Sequence, residues 1–250
     1  MPSVVELAAR PSETVPSLAD FRPGVFELLL SDMTTGGNII WATADYAHLG
    51  EAFAADQPIT VGSAGVIRPR VEKSRTRQGG RVKDKAEVFT PSWLCNEQNN
   101  LVDEAWFGRT GVFNTAIRRG WRTTMSPIRF DAEGERTWQR YVGERRLEAA
   151  CGEAPYLVSR YDATTGQPIA LQRRIGVLDR KLRVVTERCH DEDEWLRWAR
   201  RAFQATYGFE FQGDNLLLAR ENLLATYVDY IWHALRRLPD ERELTAVAQV

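Results

Sequence analysis

Short apolar runs alternate with helical patterns over about the last hundred residues, and no other feature of this sequence constrains the fold as strongly. Three of these runs are predicted to be strands: Leu147–Ala150, Arg174–Asp179 and Phe209–Gln212. Helical patterns follow them, beginning near Tyr156, at Lys181 and at Asn215. Because parallel strands need a crossover between them, this alternation favours a largely parallel sheet. We therefore predict an α/β fold.

Two further segments carry helical signals. Over Asp191–Tyr207, aromatic and small residues recur at three- and four-residue steps, and Gly208 is predicted to end the helix. Thr90–Ser92 supplies an N-cap and a proline at the first helical position, which predicts a helix over about Pro91–Phe107. Four glycines break any period between residues 108 and 140, so we expect loops with one or two strands there.

Charge is balanced over the whole chain but not locally. With 33 basic and 34 acidic residues the net charge is -1, so affinity for a polyanion would come from local clusters. Between Arg68 and Lys85, eight basic residues accompany two acidic ones, with a Gly-Gly pair in the middle. This segment is either a flexible arm that contacts nucleic-acid phosphates or a solvated linker. The candidate DNA-binding residues are Arg75, Arg77, Arg81 and Lys83.

Membrane, disulfide and zinc proteins do not fit this sequence. No stretch approaches the roughly 18 apolar residues that a membrane span requires, and the N-terminus has no apolar signal core. We expect a cytoplasmic protein without a membrane partner. The three cysteines, Cys95, Cys151 and Cys189, are odd in number and widely spaced, which argues against disulfides and zinc.

Small and acidic residues stand where the predicted strands end. Glu148–Gly152, Asp179 and Gly213–Asp214 all occupy the carboxyl edge, where parallel sheets bind ligands. A small residue lets a loop approach a nucleoside-bearing ligand, while one carboxylate accepts ribose hydroxyls and another receives an amino group. The alternatives are a helix-capping role for Asp179 and an ordinary turn at Gly213–Asp214.

The string Lys85-Ala86-Glu87-Val88-Phe89-Thr90-Pro91 and the string Leu147–Ala154 resemble two segments of adenine-specific DNA methyltransferases of type I and related restriction-modification systems. The string Lys85–Pro91, which precedes a helix, resembles the segment that precedes their cofactor-binding core. The string Leu147–Ala154 resembles their D-P-A-C-G-x-G loop. Glu148 stands at the acidic position of that loop, and Cys151-Gly152 matches it directly.

Longer strings carry the resemblance further. Cys151–Asp162 and Phe211–Asn222 look like a bacterial family described as restriction endonuclease M subunits. The likeness covers roughly residues 60–250 and implies a Rossmann-like methyltransferase sheet that binds S-adenosylmethionine. It implies three parts: an N-terminal accessory region (residues 1–67), a segment with the basic arm, a helix and a linker (residues 68–140), and an α/β core (residues 141–250).

The resemblance also implies a reaction and its site. The reaction is methylation of adenine N6 in double-stranded DNA within a restriction-modification or phage-defence system, with restriction or specificity subunits as partners. Asp179 would then lie on the cofactor ribose and Asp214 near its adenine. The implied cofactor-binding residues are Phe89, Thr90, Pro91, Glu148, Cys151, Gly152, Asp179 and Asp214.

The chain departs from the family pattern in two places. Ala154 replaces the last glycine of the loop. No Pro-Pro pair exists in the chain, so the Asn/Asp-Pro-Pro-aromatic tetrad that holds a flipped adenine is missing, and no catalytic residue is assigned. The core is therefore incomplete or altered. The alternatives are a non-catalytic DNA-binding or scaffold subunit and a methyltransferase for a non-DNA substrate.

Overall fold

The computed structural model describes residues 23–73 and 90–250. Phe89 and the four predicted DNA-binding residues lie outside this part. The helices of the described part are α1 (Pro23–Leu30), α2 (Val61–Ala64), α3 (Ser92–Phe107), α4 (Trp138–Gly143), α5 (Val177–Arg188), α6 (Glu192–Gln204), α7 (Gly213–Leu235) and α8 (Glu241–Ala248). Its strands are β1 (Asn114–Ile117), β2 (Gly120–Thr123), β3 (Arg146–Ala149) and β4 (Thr206–Phe209).

The first described segment packs against α7, far along the chain. Arg220 of α7 donates to the carbonyl oxygens of Leu29 and Ser31, at 2.7 and 2.9 Å, where α1 ends. Trp41 is fully buried, and its carbonyl oxygen accepts the N–H of Gly213 at 3.0 Å. A Cβ atom on Gly213 would meet the neighbouring carbonyl oxygen of Ile40 at 2.0 Å, so only glycine fits there. This segment and the start of α7 therefore share one core.

The middle of the chain follows the sequence-based expectations. Helix α3 begins directly after Pro91 and ends at Gly108, whose φ of 68° suits a glycine C-cap. The predicted helix over Pro91–Phe107 is confirmed, but Pro91 is its N-cap and not its first helical residue, and this N-cap makes no side-chain hydrogen bond. Strands β1 and β2 form an antiparallel hairpin, as expected for residues 108–140. Asp103 of α3 pairs with the buried guanidinium of Arg180 on α5 at 2.5 Å, which ties the two helices together.

Strands β3 and β4 form a parallel pair, with Arg146 opposite Thr206 and Ala149 opposite Phe209. The strand expected at Leu147–Ala150 is confirmed, whereas β4 begins three residues before the expected Phe209. The expectation that Gly208 ends a helix is wrong, because Gly208 lies inside β4. A Cβ atom there would meet the Sγ atom of Cys151 at 3.0 Å, so the missing side chain lets the loop after β3 pack against β4.

The predicted strand Arg174–Asp179 is wrong, because α5 already begins at Val177. Leu178, Leu182 and Val185 are fully buried along one face of α5, and this helical spacing decides the conformation. The helix expected near Tyr156 is also wrong. Residues 155–157 form a turn, and the N–H groups of Val177 and Leu178 donate to the carbonyl oxygens of Tyr156 and Leu157 at 2.8 Å.

Helix α7 carries a polar seam, which we define as Asp214, Asn222 and Asp229, each 5% exposed or less. Asn222 donates to the Glu153 carbonyl oxygen at 3.1 Å, and Asp229 accepts from the buried guanidinium of Arg174 at 2.6 Å. The seam residues follow each other at intervals of seven or eight, which places them on one side of the helix. The predicted helix over Asn215–Leu235 is confirmed, but its buried side is polar as well as apolar.

The fold is mixed α/β. The two sheets found in the described residues have two strands each, one antiparallel and one parallel. In the described part of the chain, no helix is long and apolar enough to cross a membrane.

Candidate functional site

The carboxyl ends of β3 and β4 meet at one edge, and the loops that follow them are hydrogen-bonded together. The Cys151 N–H donates to the Phe209 carbonyl oxygen at 2.9 Å, which extends the strand pairing by one bond. The Gly152 N–H donates to Glu210 Oε2 at 2.7 Å. Glu210 Oε1 also accepts the N–H groups of Phe211 and Gln212, each at 3.0 Å. Three backbone donors therefore fix this carboxylate at the strand edge.

The loop after β3 is as tight as the sequence predicts. Ala150, Gly152 and Ala154 have φ values of 52°, 55° and 64°, so every second residue lies in the left-handed region. Ala154 stands where the family pattern has glycine, and a left-handed residue with a Cβ atom costs about 1 kcal/mol. Its N–H donates to the Cys151 carbonyl oxygen at 2.8 Å, which closes the turn.

Glu153 turns away from the edge into the protein. Its side chain accepts the Tyr161 hydroxyl at 2.6 Å and the Arg70 N–H at 2.5 Å. Asn222 donates to the Tyr161 oxygen at 3.0 Å. With 2% of its surface exposed, Glu153 holds the loop against α7.

Glu148 is the acidic residue of the predicted loop, and its surroundings disfavour its charge. Burial raises the pKa of Glu148 to about 8, and the nearby Glu210 carboxylate acts in the same direction. Hydrogen bonds from the backbone of Tyr156 and Leu157 oppose this rise. Within the described residues its Oε2 atom has no hydrogen-bond partner. At pH 7 the side chain is mostly a neutral carboxyl group that can donate as well as accept.

The start of α3 lies near Tyr156, which follows β3, and near Glu148, which forms part of β3. The Cys95 thiol donates to the Thr90 carbonyl oxygen at 3.6 Å. A hydrogen bond between the Tyr156 and Thr90 side chains lowers the Tyr156 pKa against the larger effect of burial, which raises it. Burial, followed by the field of Glu148, raises the pKa of Cys95 to about 12.

Asp162 fastens this helix start. Its Oδ2 atom accepts the Ser92 N–H at 2.8 Å, and its Oδ1 atom accepts the Thr164 hydroxyl at 2.5 Å. Burial raises the pKa of Asp162, but the hydrogen bonds from Thr164 and Ser92 outweigh it and hold the pKa below its ordinary value. An ionised carboxylate at a helix N-terminus is favourable, so this contact keeps α3 against the loop.

Asp179 does not stand at a strand end. It lies in the first turn of α5, is 1% exposed and accepts the N–H of Ser159 at 2.8 Å and its hydroxyl at 3.1 Å. Arg174 Nη1 is 4.0 Å from Asp179 Oδ1. Burial raises the pKa of Asp179 to about 6, and the field of Arg174 opposes the rise. Its carboxylate serves the core, out of reach of a ligand at the edge.

Asp214 is also engaged within the protein. It lies at the start of α7 with no exposed surface, and its Oδ2 atom accepts the Tyr46 hydroxyl at 3.0 Å. The Lys73 ammonium is 3.2 Å from the same oxygen. Asp214 therefore ties α7 to Tyr46 and to Lys73, which lies within the basic segment Arg68–Lys85.

Sequence reasoning missed Glu210, the carboxylate that the structure does place at the edge. The expected strand Phe209–Gln212 put Glu210 inside a strand, whereas β4 ends at Phe209 and Glu210 is the first residue beyond it. Phe211 follows with 83% of its side chain exposed. The signal was present as an acidic residue directly after an apolar run with aromatic residues.

Cys151 sits in the loop as a small buried residue. Burial, then the fields of Glu148 and Glu210, raise the pKa of its thiol to about 12, so it is protonated at neutral pH and is a poor nucleophile. In residues 23–73 and 90–250, no three His, Cys, Asp or Glu side chains are grouped so that they could hold a metal ion. No family model, curated protein or solved structure matches this chain.

Proposed function

We propose that this chain is an S-adenosylmethionine-binding DNA adenine N6-methyltransferase, or its modification subunit, in a cytoplasmic restriction-modification or phage-defence system. One observation carries the proposal: Gly152 and Glu210, from the loops after two parallel strands, meet at 2.7 Å at the carboxyl edge. In sheets of this kind, that edge is where nucleotide-like ligands bind. The proposal treats β3 and β4 as the first two strands of a Rossmann-like sheet.

The residues at the edge fit a nucleoside-bearing methyl donor. The Glu210 carboxylate, held by backbone N–H groups, is an acceptor for ribose hydroxyls. We assign this role to Glu210 instead of Asp179, because Asp179 is buried. The exposed Phe211 ring offers a face on which a purine can stack. Gly152 lets the backbone approach the ligand closely, and the family resemblance assigns Thr90 and Pro91 to a place beside the methyl donor. When bound, S-adenosylmethionine would supply the methyl group.

A non-catalytic subunit of such a system is the second candidate, and the sequence gives a specific reason for it. The adenine amino group is a poor nucleophile, so methyl transfer needs acceptors that hold its protons and an aromatic surface that holds the base. The tetrad that supplies both is absent from these 250 residues. Both candidates predict that this chain by itself binds S-adenosylmethionine but does not transfer its methyl group.

Calorimetry with S-adenosylmethionine and with S-adenosylhomocysteine tests the cofactor assignment. We expect one site for each ligand, and we expect Glu210→Gln to weaken binding roughly 5- to 150-fold, the loss typical of one charged hydrogen bond. Glu133→Gln, at an exposed position in the loop before α4, is the matched control and should bind like the parent chain. No binding at millimolar ligand, or equal weakening in both variants, would refute the assignment.

A further inference from the structure

Two arginines lie at the amino end of β3, opposite the edge described above, and three more lie on α6, the helix that precedes β4. We name this group the arginine surface, and its members are Arg145, Arg146, Arg197, Arg200 and Arg201. In the described part of the chain, no carboxylate oxygen lies within 4.0 Å of any of these guanidinium groups. Their charge is therefore not neutralised by close ion pairs.

Direct contacts bring the two halves of the arginine surface together. Arg201 donates to the Gly143 carbonyl oxygen at 3.5 Å, two residues before Arg145. The rings of Trp138 on α4 and Trp198 on α6 lie 4.7 Å apart and hold the helices side by side. The segment before β3 and the second half of α6 consequently form one face.

Burial and the positive charge of this face together lower the pKa of a lysine beneath it. Lys181 is 1% exposed and donates to the carbonyl oxygens of Glu144 and Ala205 at 2.6 and 2.8 Å. Burial, followed by the field of Arg146, lowers its pKa to about 7, and Arg201 contributes in the same direction. The field of the Glu144 carboxylate opposes the lowering of this pKa but does not cancel it, and the carbonyl groups that hold the ammonium are neutral.

The exposed side of α6 concentrates the charge further. Arg197, Arg200 and Arg201 recur at three- and four-residue steps and line an open groove of about 630 Å³. The one acidic residue that lines this groove, Glu243, is paired with Arg237. From Trp195 to Phe209 the chain contains no Asp or Glu. The acidic residues of α6 lie in its first turn, where they suit the helix dipole.

We propose that the arginine surface binds the phosphate backbone of duplex DNA. Guanidinium groups match phosphate oxygens in bidentate geometry, and all five exposed or half-buried cations here are arginines. The net charge of the chain is only -1, so this field is a local feature that a polyanion would recognise. The surface adds a second DNA contact to the proposed function but does not require the cofactor, because it lies at the other end of the strands.

The salt dependence of DNA binding tests the surface directly. Fluorescence anisotropy of a labelled duplex of about 20 base pairs, from about 50 to 300 mM KCl, gives the slope of log affinity against log salt. We expect Arg200→Ala/Arg201→Ala to reduce that slope by about 2 and to weaken binding at least about tenfold at low salt. Arg200→Lys/Arg201→Lys keeps the charge and should retain most of the slope.

A matched control removes the same charge elsewhere. Arg118→Ala/Arg122→Ala changes two exposed arginines of the β1–β2 hairpin and should leave the slope unchanged. Equal losses in both alanine pairs, or no DNA binding by the parent chain, would overturn the proposal. So would tighter binding of an acidic protein than of DNA at equal salt. Calorimetry with S-adenosylhomocysteine on the same variants measures cofactor binding separately. A failure of the proposed cofactor site can therefore be distinguished from a failure of the proposed DNA contact.

Discussion

Replacing Glu148 with glutamine tests the electrostatics of the strand edge. The side chain is held beside backbone N–H groups, with one buried oxygen that lacks a hydrogen-bond partner among the described residues. Burial is the largest cause of its pKa of about 8, compared with 4.5 in an exposed glutamate. Glutamine has nearly the same shape and is neutral at every pH, so Glu148→Gln removes the titration and keeps the packing.

The sign of the effect follows from proton binding. Between pH 4.5 and 8 the folded chain keeps the Glu148 proton, while the unfolded chain releases it, so the free energy of unfolding falls as pH rises. At 1.36 kcal/mol per pKa unit, the total loss is about 5 kcal/mol at most. Below pH 4.5 the proton is bound in both states and this contribution disappears. Asp179 titrates in the same direction, but it is present in both proteins and cancels from their difference.

Urea unfolding of the parent chain and of Glu148→Gln at several pH values from about 5 to 8 measures this difference. We expect the variant to gain stability relative to the parent steadily as pH rises, by several kcal/mol at pH 8. Glu133→Gln, at an exposed position, should follow the parent at every pH. If the free energies of unfolding of the two proteins differ by the same amount at every pH in this range, Glu148 ionises normally in the folded chain, and the argument from burial would fail.

Two further predictions concern the core and the chemistry. Asp229→Ala leaves the guanidinium groups of Arg160 and Arg174, whose side chains are 9% and 0% exposed, without their shared acceptor. We expect the free energy of unfolding, measured with urea, to fall by about 3 to 5 kcal/mol, and a fall of less than about 1 kcal/mol would contradict this prediction. The control is Asp193→Ala, on the surface of α6. The second prediction is that the purified chain alone transfers no tritiated methyl group to methylation-free genomic DNA. Robust turnover would show that residues other than the missing tetrad hold the target adenine, and Asn215 and Asn222 would be replaced first.

Sequence reasoning succeeded where local signals and packing agree. Pro91 at the start of α3 and the long helical pattern of α7 are strong local signals, and both helices form as predicted. The run Arg174–Asp179 failed because a short apolar stretch suits a strand and a buried helix equally well. The burial of Leu178 and Leu182 against distant elements decided for the helix, and no local rule contains that information.

The candidate site was predicted in part for the same reason. Glu148 in β3 and Gly152 in the loop after it lie at the strand edge because a short apolar run and the small residues behind it are local signals of a strand and a tight turn. Asp179 and Asp214 looked equivalent to them in sequence. Their carboxylates instead accept hydrogen bonds from Ser159 and Tyr46 inside the protein, and only tertiary packing brings these partners together.

The contacts between the first described segment and α7 join residues that are synthesised far apart in time. Tyr46 and Asp214 are separated by 168 positions, and Leu29 and Arg220 by 191. At a synthesis rate of 5 to 20 residues per second, roughly 10 to 40 s pass before the partner of each early residue exists. During this interval Trp41 can pack against Tyr46 and Phe53, but the contacts that this segment makes with α7 cannot form. We therefore expect residues 23–73 to complete their folding only after α7 has been made.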